Sequence, residues 1–321
     1  MAQPIWKDFN VNLGVEDSTS YRILENNKVI YTGIAHKRPG KANNIICIND
    51  ICADFLVSEF PELGKEFVGH VLKSFVVEKY ESGSYKNCAT VEFYSDWSYD
   101  YNFNPLTKGL SCPVNGKVSP LTPIPYSVLH AQELETENIT TGKLWYYEPS
   151  TQMSYGTYLI DVKESSDGDE ILFLESELTT ATKYKIVDLC VDYALYYRNA
   201  YGGVDMLLIE GNYSEVDNLT RHTREVEYDN GNVSNRGTMN YMNEIKKSLT
   251  LHTSWLSDDE SSRMHHLLNS TEVYLYDIKK AQMIPVVLTD TQTQYKTYKG
   301  NGGKLVNYAI NVSIAQERIR K

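Results

Sequence analysis

Along the first hundred residues, apolar and polar positions alternate in short runs separated by turn residues. That period of two is the mark of half-buried strands. "SYRILENNKVIYTGIA" sets two such runs around "ENNK" and predicts a hairpin. "LKSFVVEKY" and "ATVEFYSDW" predict a second one around the glycine-containing "ESGSYKN". "NIICINDICADFL" is ambiguous, and a strand running into one helical turn is one reading of it. From Asn104 to about Leu144 the alternation breaks. "NPLTKGLSCPVNGKVSPLTPIPYSV" holds five prolines and two glycines, which excludes a long regular element and predicts an irregular connector or extended arm. Alternation returns in "GTYLIDVKESSDGDEILFLES", which predicts a hairpin about an acidic turn.

Farther on, Ile186 to Tyr197 reads as a strand, "NAYGG" as a turn and "VDMLLIEG" as the returning strand. Residues 213–247 are polar, with turn signals "DNGN" and "NRGTMN" and a strand at "TREVEY", and predict a projecting loop or hairpin arm. In "SLTLHTSW" the alternation puts Leu249, Leu251 and Trp255 on one face. "TEVYLYDI", "MIPVVLTD" and "QTQYKTYK" read as strands, followed by the turn "GNGG". The last strand, Lys304 to Ala315, sets Val306, Tyr308, Ile310, Val312 and Ile314 on one face.

One segment breaks the strand pattern. In "WLSDDESSRMHHLLNST", Ser257 and Glu260 have capping-box spacing, and Asp258, Asp259 and Glu260 fill a first helical turn. Met264, Leu267 and Leu268 make one apolar face, with His265 and His266 in the last turn. Adjacent helical histidines point about 100° apart, so the pair is not a chelating arrangement. The stretch predicts a structural helix. The fold class is therefore mainly β: an N-terminal Ig-like β-sandwich over 1–104, a connector and second β-rich domain over 105–185, and a C-terminal α+β domain over 186–321. The last would combine antiparallel sheets with one short helix.

Composition sharpens this. Tyr is abundant, 25 residues against 8 Phe and 4 Trp, and tyrosine suits half-buried strands and wet interfaces. Tyr193, Tyr196, Tyr197 and Tyr201 are candidate interface or glycan-contact aromatics, with cross-strand packing as the competing explanation. A net charge of −11 speaks against sequence-specific nucleic-acid binding, since the basic stretches "AHKRPGK" and "QERIRK" read as a solvated loop and tail. An acidic wall would still let DNA slide past without sticking. The 5 cysteines are odd in number and lack CxxC spacing, which suits buried thiols made in a reducing cytosol. "MAQPIWKDFNVNLG" has no apolar signal core, and no long apolar run predicts a membrane span. His222 and His252 have no evident nucleophile or paired carboxylate beside them, so no enzyme, cofactor or metal centre is expected.

"PIWKDFNVNLG", "NDICADFL", "YSDWSYD", "YALYYRNAYGGVDMLLIEGN", "WLSDDESSRMHHLLNSTEVYLYD" and "KLVNYAINVSIAQERIRK" resemble a family of structural proteins from tailed phages and prophages of gut Bacteroidetes. The C-terminal order of strand, helix, strands and final strand is similar to the tube fold of tail-tube and distal-tail proteins. The resemblance implies a tail or baseplate component, assembled in the host cytoplasm and residing in the virion tail. It implies a homo-oligomeric ring around the DNA channel, a hexamer being one closed solution, with other tail proteins as neighbours. A glycan-binding adhesin built on the Tyr cluster is the alternative.

Overall fold

A computed structural model of the chain describes residues 3–5, 9–56, 67–69, 73–94, 110–128, 134–147, 156–162, 165–175, 182–187, 191–225, 238–289, 305–315 and 318–320. The fold is mainly β.

The N-terminal elements are β1 (Gln3–Pro4), β2 (Asn10–Gly14), β3 (Ser18–Glu25), β4 (Lys28–His36), β5 (Asn44–Cys47), helix α1 (Asn49–Ala53), β6 (Phe67–Gly69), β7 (Lys73–Glu81) and β8 (Ser84–Tyr94). Five of these strands form a sheet in the order β1-β8-β7-β3-β4, and β2 pairs with β5 in a separate ribbon. Ile23, Phe75, Val77 and Phe93 of the sheet share a core with Val11 and Leu13 of the ribbon and with Ile48 and Cys52. The ambiguous "NIICINDICADFL" is thus a strand followed by one helical turn. The first predicted hairpin is β3–β4, turning on Asn26 and Asn27 at φ 49° and 63°. Two left-handed residues in succession match the right-handed twist of the flanking strands. The second hairpin turns on Ser82 and Gly83 alone. Tyr85 to Asn87, expected in the turn, belong to β8 because a bulge at Cys88 absorbs the extra residue.

The middle of the chain holds β9 (Lys117–Val118), β10 (Ile124–Val128), β11 (Leu134–Asn138), β12 (Lys143–Tyr147), β13 (Gly156–Ile160), β14 (Glu170–Glu175) and β15 (Thr182–Ile186). They form two sheets, β10-β13-β6 and β12-β11-β14-β15-β9. Two expectations are corrected here. The proline-rich stretch ends in the regular strand β10, where Pro125 is tolerated because β10 is a sheet edge with one side needing no donor. And β13 and β14 are not a hairpin, because each pairs into a different sheet. In the acidic loop between them Ser166, Asp167 and Gly168 are exposed, while buried Asp169 accepts from Asn138 Nδ2 and from the Ser166 N–H, both at 2.9 Å.

The C-terminal elements are β16 (Tyr193–Arg198), β17 (Val204–Leu208), β18 (Tyr213–Glu225), β19 (Thr238–His252), helix α2 (Asp258–Leu268), β20 (Val273–Asp277), β21 (Gln282–Leu288), β22 (Ala309–Ile314) and β23 (Arg318–Arg320). The sheet runs β17-β16-β20-β21-β22-β19-β18, with β23 on β19. On one face Leu195, Leu207, Leu275, Val286, Ile310, Val312, Leu249 and Leu251 pack against Met264 and Leu267 of α2. The capping box forms as predicted, with Glu260 N–H donating to Ser257 Oγ and Ser257 N–H to Glu260 Oε2. The final strand is shorter than expected, but its apolar face is intact: Val306, Tyr308, Ile310 and Val312 are buried and Ile314 is partly so. Trp255 is not on the Leu249–Leu251 face. The strand stops at His252, and the side chain is 62% exposed. The predicted strand "QTQYKTYK" and turn "GNGG" lie outside the described residues.

On the sheet's other face, one core crosses position 185. Tyr126, Phe173, Tyr184 and Ile186 of the middle sheets join Tyr196, Met206, Leu208 and Tyr276 of the C-terminal sheet. Cys47, Cys52, Cys88 and Cys112 are all thiols, and Cys190 lies outside the described residues. Titration of the denatured, non-reduced protein should find five thiols per chain. Four blocked cysteines would refute the reading of a cytosolic, disulfide-free protein.

Candidate functional site

The C-terminal sheet rolls up. β17 and β18 stand at opposite ends of the strand order, yet residues 209–212 join them directly. The link is stitched on both sides: Ile209 N–H donates to Tyr193 O, Gly211 N–H to His252 O, and His252 N–H to Asn212 O, all at 3.1 Å. Tyr193 and Tyr213 meet edge to face at 4.9 Å across this mouth. Tyr193 Oη donates to Glu215, which pairs with Lys247, and Tyr213 Oη donates to Asp192, which pairs with Lys279. The lysines hold both carboxyls below their ordinary range, Lys247 acting on Glu215 and Lys279 on Asp192.

The two edges of the rolled sheet differ. Along β17 the edge is sealed by the 110–128 segment, where Ser127 Oγ accepts from Val204 N–H at 2.7 Å. Leu110 O lies so close that a Cβ on Gly203 would meet it at 2.7 Å. The β18 edge is open, with β19 as its only strand partner among the described residues.

Past Val216 and Ser248, β18 and β19 leave the body. β22 pairs with β19 only from Ser248 to His252, and β23 only from Asn243 to Ile245. What projects is a hairpin arm of about ten residues per strand, roughly 33 Å at 3.3 Å per residue, two-stranded except where β23 pairs with Asn243–Ile245. Nearly every residue of β18 is exposed. Both faces nevertheless carry apolar side chains, with Leu219 opposite Ile245 on one and Val216 and Met242 on the other. Val216, Leu219, Met239 and Tyr241 are among the exposed large hydrophobics. An isolated two-stranded ribbon is marginal in water, and a long unpaired edge is a template for another chain. The sheet face continuing along the arm, Ser214, Asn218, Ser248, Thr250 and Asn311, is tied by Asn218 Nδ2 to Ser248 Oγ (2.9 Å) and Thr250 Oγ1 to Asn311 Oδ1 (2.7 Å). Hydroxyls and amides predominate on it, with Val216 among them.

The candidate aromatics do not form one platform. Tyr196 and Tyr197 are both 0% exposed and point to opposite sides of the sheet, into different cores. Tyr196 Oη donates to Pro123 O at 2.5 Å. Tyr193 belongs to the mouth of the roll, and the Tyr201 ring lies tilted against His266 at 5.1 Å. Strict alternation along β16 explains the split. Of the two explanations, cross-strand packing accounts for the buried pair, Tyr196 and Tyr197, which are not available as contact aromatics.

The histidine pair also differs in detail. The rings of His265 and His266 lie 3.9 Å apart, closer than helix spacing suggested. Yet His266 Nδ1 accepts from Ala200 N–H at 3.3 Å, and His265 Nδ1 lies against Ser262 O at 2.5 Å. Among the described residues no three His, Cys, Asp or Glu side chains gather as a metal site. His266 is 4% exposed, so its truncation is not as harmless as the helix pattern implied. His266→Ala should cost about 2 kcal/mol through a cavity and an orphaned N–H, whereas His265→Ala should stay within about 0.5 kcal/mol. Denaturant melts of the two variants check this; equal losses would refute it. Burial, then His265 and Arg263, push the His266 imidazole down to about 3. Its stabilising contribution is therefore present above the ordinary histidine range and lost as pH falls from there toward 3.

No protein-family model matches the chain, and no curated protein matches it. Among the described residues no helix is long and apolar enough to cross a membrane.

Proposed function

We propose that this chain is a non-enzymatic structural subunit of a phage tail or baseplate, whose C-terminal tube-like domain assembles with copies of itself into a ring around the DNA channel. One observation carries the reading: a long β arm with an open edge and apolar residues on both faces leaves a closed, well-packed body. Such an arm suits capture of a neighbour's backbone and side chains. Because the β17 edge is sealed, copies do not join by simple β18-to-β17 continuation. The arm instead lies along another surface of the next subunit, and the two unlike contact surfaces give a head-to-tail contact that closes as a ring.

In this reading the N-terminal Ig-like sandwich faces outward to neighbouring tail proteins, using the exposed Val29, Tyr31 and Ile34 of its edge strand β4. Should the hydroxyl and amide face line the channel, DNA would slide past a neutral wall, with weak retention and no sequence reading. Negative-stain microscopy of the purified protein, with antibody labelling of the particle that contains it, is the test. Rings and tail labelling support the proposal. Monomers at every concentration together with unlabelled tails refute it.

A further inference from the structure

Past His252 the ladder between β19 and β22 continues. Thr253 N–H donates to Tyr308 O at 2.9 Å, and Leu256 and Val306 exchange both backbone bonds, at 2.7 and 2.8 Å. Leu256 and Val306 are buried in the core that holds Met264 and Leu267 of α2. Alternation therefore turns Trp255 and Leu305 outward, as diagonal neighbours about 7–8 Å apart. They are 62% and 55% exposed. Tryptophan is among the side chains that most often anchor a protein interface. Just beyond it Asp258 and Asp259, in the first turn of α2, are exposed and belong to no ion pair among the described residues. The patch is apolar with an acidic rim.

The distal half of the arm presents an apolar face of the opposite charge. Arg224 and Met239 are register partners, as are His222 and Met242. Tyr241, the extra residue of a bulge, sets its ring 6.2 Å from His222, so these five side chains share one face. Met239 and Tyr241 are exposed. His222 lies 3.1 Å from Glu244, whereas exposed Arg224 belongs to no ion pair among the described residues. By alternation Asp217 and Glu225 fall on the other face. A methionine sulfur and a guanidinium both pack favourably on an indole, and the same guanidinium can bond carboxylates beside it. The arm does not reach the patch of its own chain. It leaves from the Ser248 end of the paired β19–β22 segment and points away from the His252 end, where Trp255 lies.

We propose that Trp255 and Leu305, rimmed by Asp258 and Asp259, form the surface on the next copy of this chain that receives the arm. Met239 and Tyr241 lie on the indole, and Arg224 bonds the carboxylates. The assignment rests on the ring reading and gives the arm its acceptor. Arm and patch stand at opposite ends of one body, as a head-to-tail contact requires.

Sedimentation velocity on full-length variants, each checked by circular dichroism for a wild-type fold, tests the assignment. Trp255→Ala should weaken self-association about thirtyfold, the effect of an interface anchor. Met239→Ser with Tyr241→Ser should weaken it similarly. Each variant should stay monomeric at concentrations where wild type forms rings. An equimolar mixture of the two should nevertheless give heterodimers, since one intact arm then meets one intact patch. Arg224→Gln should weaken association about threefold in the wild type and not at all in an Asp258→Asn, Asp259→Asn background. Wild-type rings from Trp255→Ala overturn the assignment while leaving the ring reading standing, and give the patch to a different protein. A mixture without heterodimers overturns it too. If Trp255→Ala does not fold, the Arg224 comparison decides: equal losses in both backgrounds overturn the contact. A wild-type chain that stays monomeric at every concentration overturns the ring reading and the assignment together.

Discussion

Ile310→Asp is expected to unfold the C-terminal domain and abolish assembly with it. Ile310 is 0% exposed, lies opposite Leu251 in the ladder, and sits between β21 and β19 in a shared core with Met264 and Leu267. Losing the aliphatic side chain removes roughly 1.5–3 kcal/mol of burial, and an unpaired carboxylate adds several more for desolvation. The sum approaches the whole stability of an ordinary domain, about 5–15 kcal/mol. Asn311→Asp, one residue along on the polar face, should cost far less. Circular-dichroism melts of the two variants decide the point. A cooperative Ile310→Asp melt within about 1 kcal/mol of wild type would show that this core does not hold the domain together.

The second large effect is expected from the arm. Deleting Asp217–Lys247 and joining Val216 to Ser248 through Asn-Gly should leave the body folded and remove the oligomer. Val216 and Ser248 are register partners, so a two-residue turn closes the shortened hairpin without changing the ladder beneath it. Among the described residues, none of the buried core lies in the deleted stretch. Stability should therefore change by no more than about 1–2 kcal/mol, although β23 loses its pairing partner. A fragment beginning at 186 is a poorer probe. It would strip Val114 from one core and uncover Tyr196, Met206 and Leu208, which pack on Tyr126, Phe173 and Tyr184 in the other. The full chain is the right object.

Local features were legible in the sequence. The Asn26-Asn27 hairpin, the Ser257–Glu260 cap and the Val306–Ile314 face each depend on residues close together in the chain. The arm was legible too, as a polar stretch between turn signals. Partner choice was not. Alternation says which side of a strand is buried, but not which strand lies beside it, so β13 and β14 read as a hairpin although they belong to different sheets. For the same reason β6, in the first hundred residues, gave no hint that it pairs with Tyr158 and its neighbours. Contact surface and cross-strand packing stayed open for Tyr196 and Tyr197 because no local signal shows that a strand is covered on both faces. The hydrogen bond from Cys112 N–H to the Asp205 carboxyl was invisible, since the two residues lie 93 positions apart.

The most direct test is sedimentation velocity on the full-length protein and the arm-shortened variant, run side by side over a wide concentration range, with negative-stain images of the same samples. The expected result is rings for the full-length chain and a folded, compact monomer for the shortened one. Rings of unchanged size from the shortened protein, or a full-length chain that stays monomeric at the highest concentration, would contradict assembly through the arm.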